Sequence, residues 1–387
     1  MAGFARLLEP PRLRTVGGGA GVEEDRRATW LELFFDLVFV AAVGQLANAL
    51  GREPTAARFF EFLGLFVPVW WAWMGFTFYA NRFDTDDLPY RLLLLLAMFG
   101  VAVVASTVPG VFRGATKAFP IAYVSVRLVL LVLYARASRH VPEARRFARR
   151  FLSSFALAVL IWIFSLAFDR PWAYVVWGVA LAIELVTPIP AWRLLRDAPV
   201  HPRHLPERFG LLTLIVLGES VLAVVLGVSR VSWVAGSAGA AAAGFLIAAS
   251  LWWIYFNFLD EAALTARGIF GGLTYTYANY FVVVGLAALG AGVKLSILAA
   301  GGDKHYDDTS WVLSGGLALT MVGLAAIQLV TGTIVFDTDV WLRLGTAAIA
   351  LALVPFALSP LTVLLVLAAV LVAQVVYELA RHEAHTA

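Results

Sequence analysis

Cysteine is absent from this 387-residue sequence, and charged residues are scarce. Without cysteine the chain can form no disulfide, no thiolate metal ligand and no cysteine nucleophile. Charged residues make up 14% of the chain, whereas soluble proteins contain about 25% on average. A soluble domain of this length could not cover its surface with so few charges, and 61% of the residues are hydrophobic. The scarcity of charged residues and the high hydrophobic content indicate a membrane protein.

Other absences exclude further classes of function. The sequence contains no Gly-rich phosphate loop of the P-loop type and no nucleophile elbow. Its Lys and Arg residues are spread over loops, whereas nucleic-acid binding needs a concentrated basic stripe. His201 and His204 stand close to Pro202 and Pro206, so we expect them in a loop that is solvated or contacts lipid headgroups, and not in a metal site. We expect no nucleic-acid partner, no cofactor, no metal and no catalytic residue.

Apolar runs of about 20 residues recur along the chain, and each is long enough for a transmembrane helix. The sequence predicts an all-α, polytopic membrane protein of about twelve helices, with the lipid bilayer as its main partner. The predicted spans are 29–49, 58–80, 91–109, 118–138, 151–168, 172–192, 207–228, 234–259, 272–299, 311–331, 341–357 and 361–380.

The basic residues are unevenly distributed between the predicted loops. With the N-terminus inside the cell, 20 of the 29 Lys and Arg residues fall on the cytoplasmic side and 7 fall outside, while Arg127 and Lys294 lie within spans. Cytoplasmic loops carry such an excess. We therefore expect a multi-pass protein of the cell inner (plasma) membrane with both termini in the cytoplasm. Residues 1–28 lack the apolar core of a signal peptide.

Segments of the two halves resemble each other. ELFFDLVFV from Glu32 has a counterpart in ERFGLLTLIV from Glu207, and WWAW from Trp70 has one in WWIY from Trp252. Segments six spans apart share an orientation, so the pattern predicts two parallel six-helix halves, as in some transporters. Chance similarity between apolar helices is the alternative. The predicted domains are a disordered cytoplasmic tail (1–28), a first half (29–192), a cytoplasmic linker (193–206), a second half (207–380) and a cytoplasmic tail (381–387).

Two acidic residues near helix starts have a structural explanation. The string TWLE at 29–32 has the spacing of a capping box, in which Glu32 reaches back to the amide of Thr29. Pro206 can open the seventh helix, with Glu207 in its first turn, where the helix dipole favours a carboxylate. We expect Glu32 and Glu207 to stabilise the starts of their helices.

Three carboxylates and one arginine are predicted deeper in the membrane. At 1.5 Å per residue, Asp36 lies about 10 Å along its helix and Glu219 about 18 Å along its own, with Ser220 beside it. Glu184 and Arg127 are comparably deep. The carboxylates outnumber the arginine, so in one cluster at least one carboxyl should hold a proton near neutral pH, as in a proton relay. A static buried salt bridge that fixes helix register is the alternative.

Glu184 is followed closely by two prolines, Pro188 and Pro190. These should kink or end the helix and free backbone carbonyls, which a membrane protein tolerates only where they are buried in protein or line a cavity.

Two strings, WLELFFDLVFVAAVGQL and ERFGLLTLIVLGESVLAV, resemble signature segments of the bacterial low-temperature-requirement A (LtrA) family. The resemblance implies a multi-pass membrane protein named for a growth requirement in the cold, and it supplies no biochemical activity. Carried onto this sequence, the family segments point to Glu32, Phe34, Phe35, Asp36, Glu207, Arg208, Gly218, Glu219 and Ser220.

The preferred hypothesis is a secondary transporter or proton-linked permease that carries a small solute or a proton. Asp36 and Glu219 would be equivalent sites in the two halves, and Arg127 and Glu184 would share their polar centre. The candidate substrate or proton pathway comprises Asp36, Glu219, Arg127, Glu184, Glu32, Glu207, Arg208 and Ser220. Such a transporter needs a water-accessible cavity that reaches Asp36 and Glu219. The alternatives are a non-catalytic membrane protein that supports growth or the bilayer in the cold, and an intramembrane acid–base enzyme acting on a lipid-like substrate. A homo-oligomer is compatible with the sequence.

Overall fold

The computed structural model describes residues 10–13, 28–84, 86–191, 194, 204–257, 268–303, 309–332, 337–356 and 358–386. Eleven of the helices in these ranges are long and apolar enough to cross a membrane, while the 15-residue α6 is shorter. The predicted all-α, polytopic architecture is confirmed. The helices are α1 (Trp30–Arg52), α2 (Ala56–Arg82), α3 (Leu88–Phe112), α4 (Ala118–His140), α5 (Arg145–Phe164), α6 (Trp172–Val186), α7 (His204–Val228), α8 (Ala235–Asn257), α9 (Gly268–Ala300), α10 (Ser310–Thr331), α11 (Thr338–Ala352) and α12 (Pro360–Thr386).

The observed helices follow the predicted spans in order, with shifts at their ends. The sixth span, predicted at 172–192, ends as a helix at Val186. Pro188 and Pro190 follow, and neither has the amide that would continue the hydrogen-bond ladder. The fifth helix begins at Arg145 and not at 151, so residues 145–150, which lie outside the predicted span, form its first turns.

Part of the tail predicted to be disordered has regular structure. The two-residue strand β1 (Arg12–Leu13) pairs antiparallel with β2 (Phe83–Asp84), which follows α2 directly, and Leu13 lies opposite Phe83. Residues 1–9 and 14–27 of the tail, and residues 193 and 195–203 of the predicted linker, lie outside the described residues. The last three residues of the predicted linker, 204–206, instead belong to α7.

The chain divides into two compact units. Unit 1 comprises Met1–Leu46 and Gly64–Arg208, and unit 2 comprises Ala47–Leu63 and Phe209–Ala387. The division falls close to the predicted linker, but the segment from 47 to 63 belongs to the second unit. The proposed repeat of six-helix halves stays a prediction.

Aromatic side chains fill the interior of unit 1. Tyr134 stacks on Phe151 with ring centroids 5.8 Å apart, and Tyr123 packs against Trp162 at 4.7 Å. Trp162 and both tyrosines are almost completely buried. Such rings bury large areas and prefer these offset and tilted geometries. They give unit 1 a rigid interior that positions the charged side chains described below.

In unit 2, α9 and α10 pack with their backbones in contact. A Cβ atom added to Gly316 would lie 2.5 Å from the backbone nitrogen of Leu289, and one added to Gly292 would lie 2.6 Å from Cα of Leu313. A side chain larger than hydrogen at either position would force the facing backbone to shift. Close approach through small residues drives helix association in a bilayer by van der Waals packing. We term this contact the glycine seam; it comprises Gly285, Gly292, Gly316 and Gly323.

Candidate functional site

The start of α1 supplies the first part of the site. Glu32 Oε2 accepts a hydrogen bond from the Thr29 amide at 2.8 Å, and Thr29 Oγ1 accepts one from the Glu32 amide at 3.2 Å. This reciprocal pair confirms the predicted capping box. The predicted position of Glu207 in the first turn of α7 is also confirmed, and its Oε1 accepts a hydrogen bond from the Ala28 amide at 3.1 Å.

Arg208, in the second turn of α7, lies between two carboxylates of α1. Its Nη2 is 2.5 Å from Asp36 Oδ1, and its Nη1 is 3.4 Å from Glu32 Oε1. Glu32 and Asp36 are four residues apart, so they share one face of α1. None of the three residues is more than 2% exposed. We term Glu32, Asp36 and Arg208 the carboxylate–arginine cluster.

The two oxygens of the Asp36 carboxylate differ in their contacts. Oδ1 accepts hydrogen bonds from Trp73 Nε1 at 2.7 Å and from Arg208 Nη2 at 2.5 Å. Oδ2 is buried and has no hydrogen-bond partner among the described residues. A buried, unpartnered carboxylate oxygen costs free energy unless it binds a proton or another polar partner. Oδ2 is therefore the atom of the cluster with capacity to bind a proton.

His204 and Asn81 extend this cluster. His204 Nε2 lies 3.7 Å from Glu32 Oε2, and His204 Nδ1 lies 3.2 Å from Asn81 Nδ2. The predicted solvated loop is wrong for His204, which is the first residue of α7 and is fully buried. Pro206 is accommodated in the first turn, where an amide is not required. His201 lies outside the described residues, and within the described ranges no group of three or more His, Asp or Glu residues could hold a metal ion.

A second buried ion pair lies elsewhere in unit 1. Arg127 Nη2 of α4 is 2.7 Å from Glu184 Oε2 of α6, and both side chains are fully buried. The guanidinium also lies over the Phe155 ring, 4.6 Å from its centroid, and the Tyr123 hydroxyl donates to Glu184 at 3.4 Å. A Cβ atom added to Gly75 would lie 3.1 Å from Arg127 Nη1, so this glycine makes room for the arginine.

The structure does not form the single polar centre that the sequence suggested. Asp36 pairs with Arg208, and Arg127 pairs with Glu184. From the sequence Arg127 is the deep arginine, because Arg208 stands at the start of its predicted span. The family resemblance alone had pointed to Arg208.

Glu219 and Ser220 belong to unit 2, where they line a cavity of about 190 Å³. Lys294 donates a hydrogen bond to Asn48 at 3.2 Å and is the electrostatic partner of Glu219. Asp36, which belongs to unit 1, is not among the residues that line this cavity. We term it the unit 2 cavity; its polar lining residues are Asn48, Arg52, Glu219, Ser220, Arg230 and Lys294.

Unit 2 also contains a polar group that the sequence analysis missed. Arg343 of α11 is fully buried, and Glu378 of α12 is its foremost electrostatic partner. Gln374 donates to Glu378 at 2.8 Å and accepts from the Thr346 hydroxyl at 2.7 Å. The spacing of these polar residues could have indicated the group from the sequence. Arg343 and Thr346 are three residues apart, and Gln374 and Glu378 are four apart, so each pair shares one helix face.

Comparison with known proteins agrees with the resemblance. A protein of Rhizobium meliloti (strain 1021), described as uncharacterized, is 28% identical over 289 residues, which cover 71% of this chain and 70% of that protein. The model of the family described as "Bacterial low temperature requirement A protein (LtrA)" matches residues 27–376. This match includes the carboxylate–arginine cluster, the second ion pair and the unit 2 cavity. The chain therefore belongs to the bacterial low temperature requirement A (LtrA) family.

Proposed function

We propose that this protein is a secondary transporter of the inner membrane in which the carboxylate–arginine cluster binds and releases a proton. Family membership and eleven potential membrane-spanning helices support a polytopic membrane protein. The observation that carries the finer proposal is Asp36, which is fully buried and keeps one carboxylate oxygen without a hydrogen-bond partner among the described residues.

The charge balance of the cluster favours proton binding. Fully ionised, two carboxylates and one guanidinium carry a net negative charge. An uncompensated charge inside a membrane protein is costly, so the cluster gains stability when a proton neutralises it. Asp36 Oδ2 can accept that proton, and His204, 3.7 Å from Glu32, offers a second exchangeable position. Glu32, His204 and Asn81 then form a chain of polar groups leading from the cluster.

In this proposal the protein moves its solute without altering it chemically, and it is not an enzyme. An acid–base enzyme would present two carboxyls to one substrate. Glu32 and Asp36 instead both face the guanidinium of Arg208, at 3.4 Å and 2.5 Å. This arrangement favours a change of protonation coupled to a change of ion pairing.

Proton flux into proteoliposomes under an imposed pH gradient tests the proposal. We expect flux with the wild type and, with Asp36→Asn, only the leak of protein-free vesicles, because the amide cannot exchange the proton. Asp86→Asn is the matched control, since it removes the same charge in unit 1 from a side chain that is 69% exposed. Wild-type flux from Asp36→Asn, or no flux from folded wild type with any solute tested, would contradict proton coupling at this cluster.

A second candidate is a non-catalytic protein that supports the bilayer or growth in the cold. The observation that favours it is the complete burial of both ion pairs, which link α1 to α7 and α4 to α6. Buried polar groups can serve to specify helix register. The triple variant Glu32→Gln, Asp36→Asn, Arg208→Gln separates the two candidates. If the folded variant restores growth in the cold to a strain lacking the gene, the charges are structural; if growth is lost, they are functional.

A further inference from the structure

The unit 2 cavity concentrates positive charge around one carboxylate. Arg52 is the last residue of α1, Arg230 follows the end of α7, and Lys294 lies near the end of α9. Glu219 is the one acidic residue among those that line the cavity. Three cations and one anion therefore leave a formal charge of about +2 within a small volume.

The protein neutralises these cations only in part, through the electrostatic interaction of Glu219 with Lys294. Among the described residues, Arg52, Arg230 and Lys294 form no ion pair with a carboxylate, and Lys294 instead donates to the Asn48 amide oxygen at 3.2 Å. Arg230 and Arg52 are close enough to Lys294 to repel it. Glu219 likewise accepts no hydrogen bond from the residues that the structure describes. The three basic side chains and the Glu219 carboxylate can therefore form hydrogen bonds with a ligand.

The rest of the lining limits the size of that ligand. The volume of about 190 Å³ is smaller than the roughly 300–1,000 Å³ of pockets for drug-sized molecules. Gly290 of α9 faces Ser220 of α7, and an added Cβ atom would lie 3.0 Å from the Ser220 hydroxyl. The remaining small residues of the wall are Ala47, Gly51, Ala223, Ala287 and Ala291.

We propose that the unit 2 cavity binds a small anion through a carboxylate or phosphate group. Arg52, Arg230 and Lys294 hold the anionic oxygens, for which guanidinium and ammonium groups are the usual partners. Glu219 accepts a hydrogen bond from a hydroxyl or ammonium group of the same molecule. Free solutes and anionic lipid headgroups share this chemistry. Binding at equilibrium needs no transport, so the inference is independent of the proton-coupled function proposed above.

The test uses the full chain in nanodiscs of phosphatidylcholine, titrated with malate and with inorganic phosphate by calorimetry. We expect saturable binding of at least one probe, weakened about tenfold or more by Lys294→Gln and by Arg230→Gln, because each removes a charged hydrogen-bond donor. Ala223→Leu fills the cavity without changing its charge and should abolish binding. Arg91→Gln removes a charge from an exposed side chain of unit 1 and should leave binding unchanged.

A second arm distinguishes a lipid from a solute. If neither soluble probe binds but phosphatidylglycerol co-purifies with the wild type and not with Lys294→Gln or Ala223→Leu, the ligand is a lipid headgroup. No binding of either kind, or binding that Lys294→Gln, Arg230→Gln and Ala223→Leu all leave unchanged, would overturn the inference. Asp36→Asn should retain binding, so loss of proton flux in that variant does not bear on the cavity.

Discussion

The two units of this protein hold their helices together by different means. Unit 1 buries opposite charges against each other, Asp36 with Arg208 at 2.5 Å and Arg127 with Glu184 at 2.7 Å. Unit 2 also buries Arg343 close to Glu378, but its α9 and α10 bring their backbones into contact along the glycine seam, which requires no charge. Glu219 of unit 2 lines a cavity instead. The fully buried charges of unit 1 are thus paired within the protein, whereas the half-buried Glu219 lines a space that a ligand can enter.

The largest effect is expected where a charge of unit 1 loses its partner. Arg208→Met leaves Glu32 and Asp36 buried without a counter-charge, so the free energy of unfolding should fall by about 3–5 kcal/mol. Glu219→Gln in unit 2 should change it by about 0.5 kcal/mol or less, because this side chain has no ion pair to lose. Denaturant unfolding in detergent measures both variants.

Adding Asp36→Asn to Arg208→Met should recover part of the loss, because the amide is neutral without the arginine. Equal losses for Arg208→Met and Glu219→Gln would remove the contrast between the units.

A smaller effect is expected at the glycine seam. Gly316→Ala places a methyl group 2.5 Å from the backbone nitrogen of Leu289 and should cost about 1–3 kcal/mol of unfolding free energy. Gly315→Ala is the matched control next to it, since its methyl group would meet the Phe59 ring at 3.4 Å, an ordinary contact. Thermal unfolding of the two variants should differ clearly. Similar unfolding temperatures for the two variants would show that α9 and α10 can separate slightly at little cost. The glycine seam would then not be what holds these helices together.

The smallest effect is expected at the start of α1. Thr29→Ala removes the hydroxyl that accepts from the Glu32 amide, so the free energy of unfolding should fall by about 1 kcal/mol. Thr29→Ser keeps the hydroxyl and should retain most of the stability. If both substitutions cost the same in denaturant titrations, packing of the Thr29 methyl group and not the cap would account for the loss.

The features predicted correctly from the sequence are local ones. Helix number and approximate bounds follow from apolar runs of a length set by the bilayer, and the capping box lies within four residues. The pairing of Asp36 with Arg208 joins residues 172 apart in the chain, and no periodicity within either helix specifies it. His204 was misplaced for a related reason, since its burial depends on Glu32 and Asn81 from other segments. Orientation and the parallel repeat stay predictions.

The glycine seam could have been inferred from spacing. Gly285 and Gly292 are seven residues apart on α9, and Gly316 and Gly323 are seven apart on α10. A seven-residue interval returns a side chain to nearly the same helix face, and small residues on one face mark close helix contacts in membranes. Which two helices meet through such faces still depends on the fold.

Helix α9 takes part in both the seam and the unit 2 cavity. Gly285 and Gly292 fix one side of it against α10, while Gly290 and Lys294 form a wall of the cavity. Because the backbones of α9 and α10 already touch, this wall cannot retreat to admit a larger molecule. We therefore expect a larger occupant to displace α7 or the last turn of α1, which form the facing wall, and not α9. The width of the cavity thus depends on a helix contact that lies on the opposite side of α9.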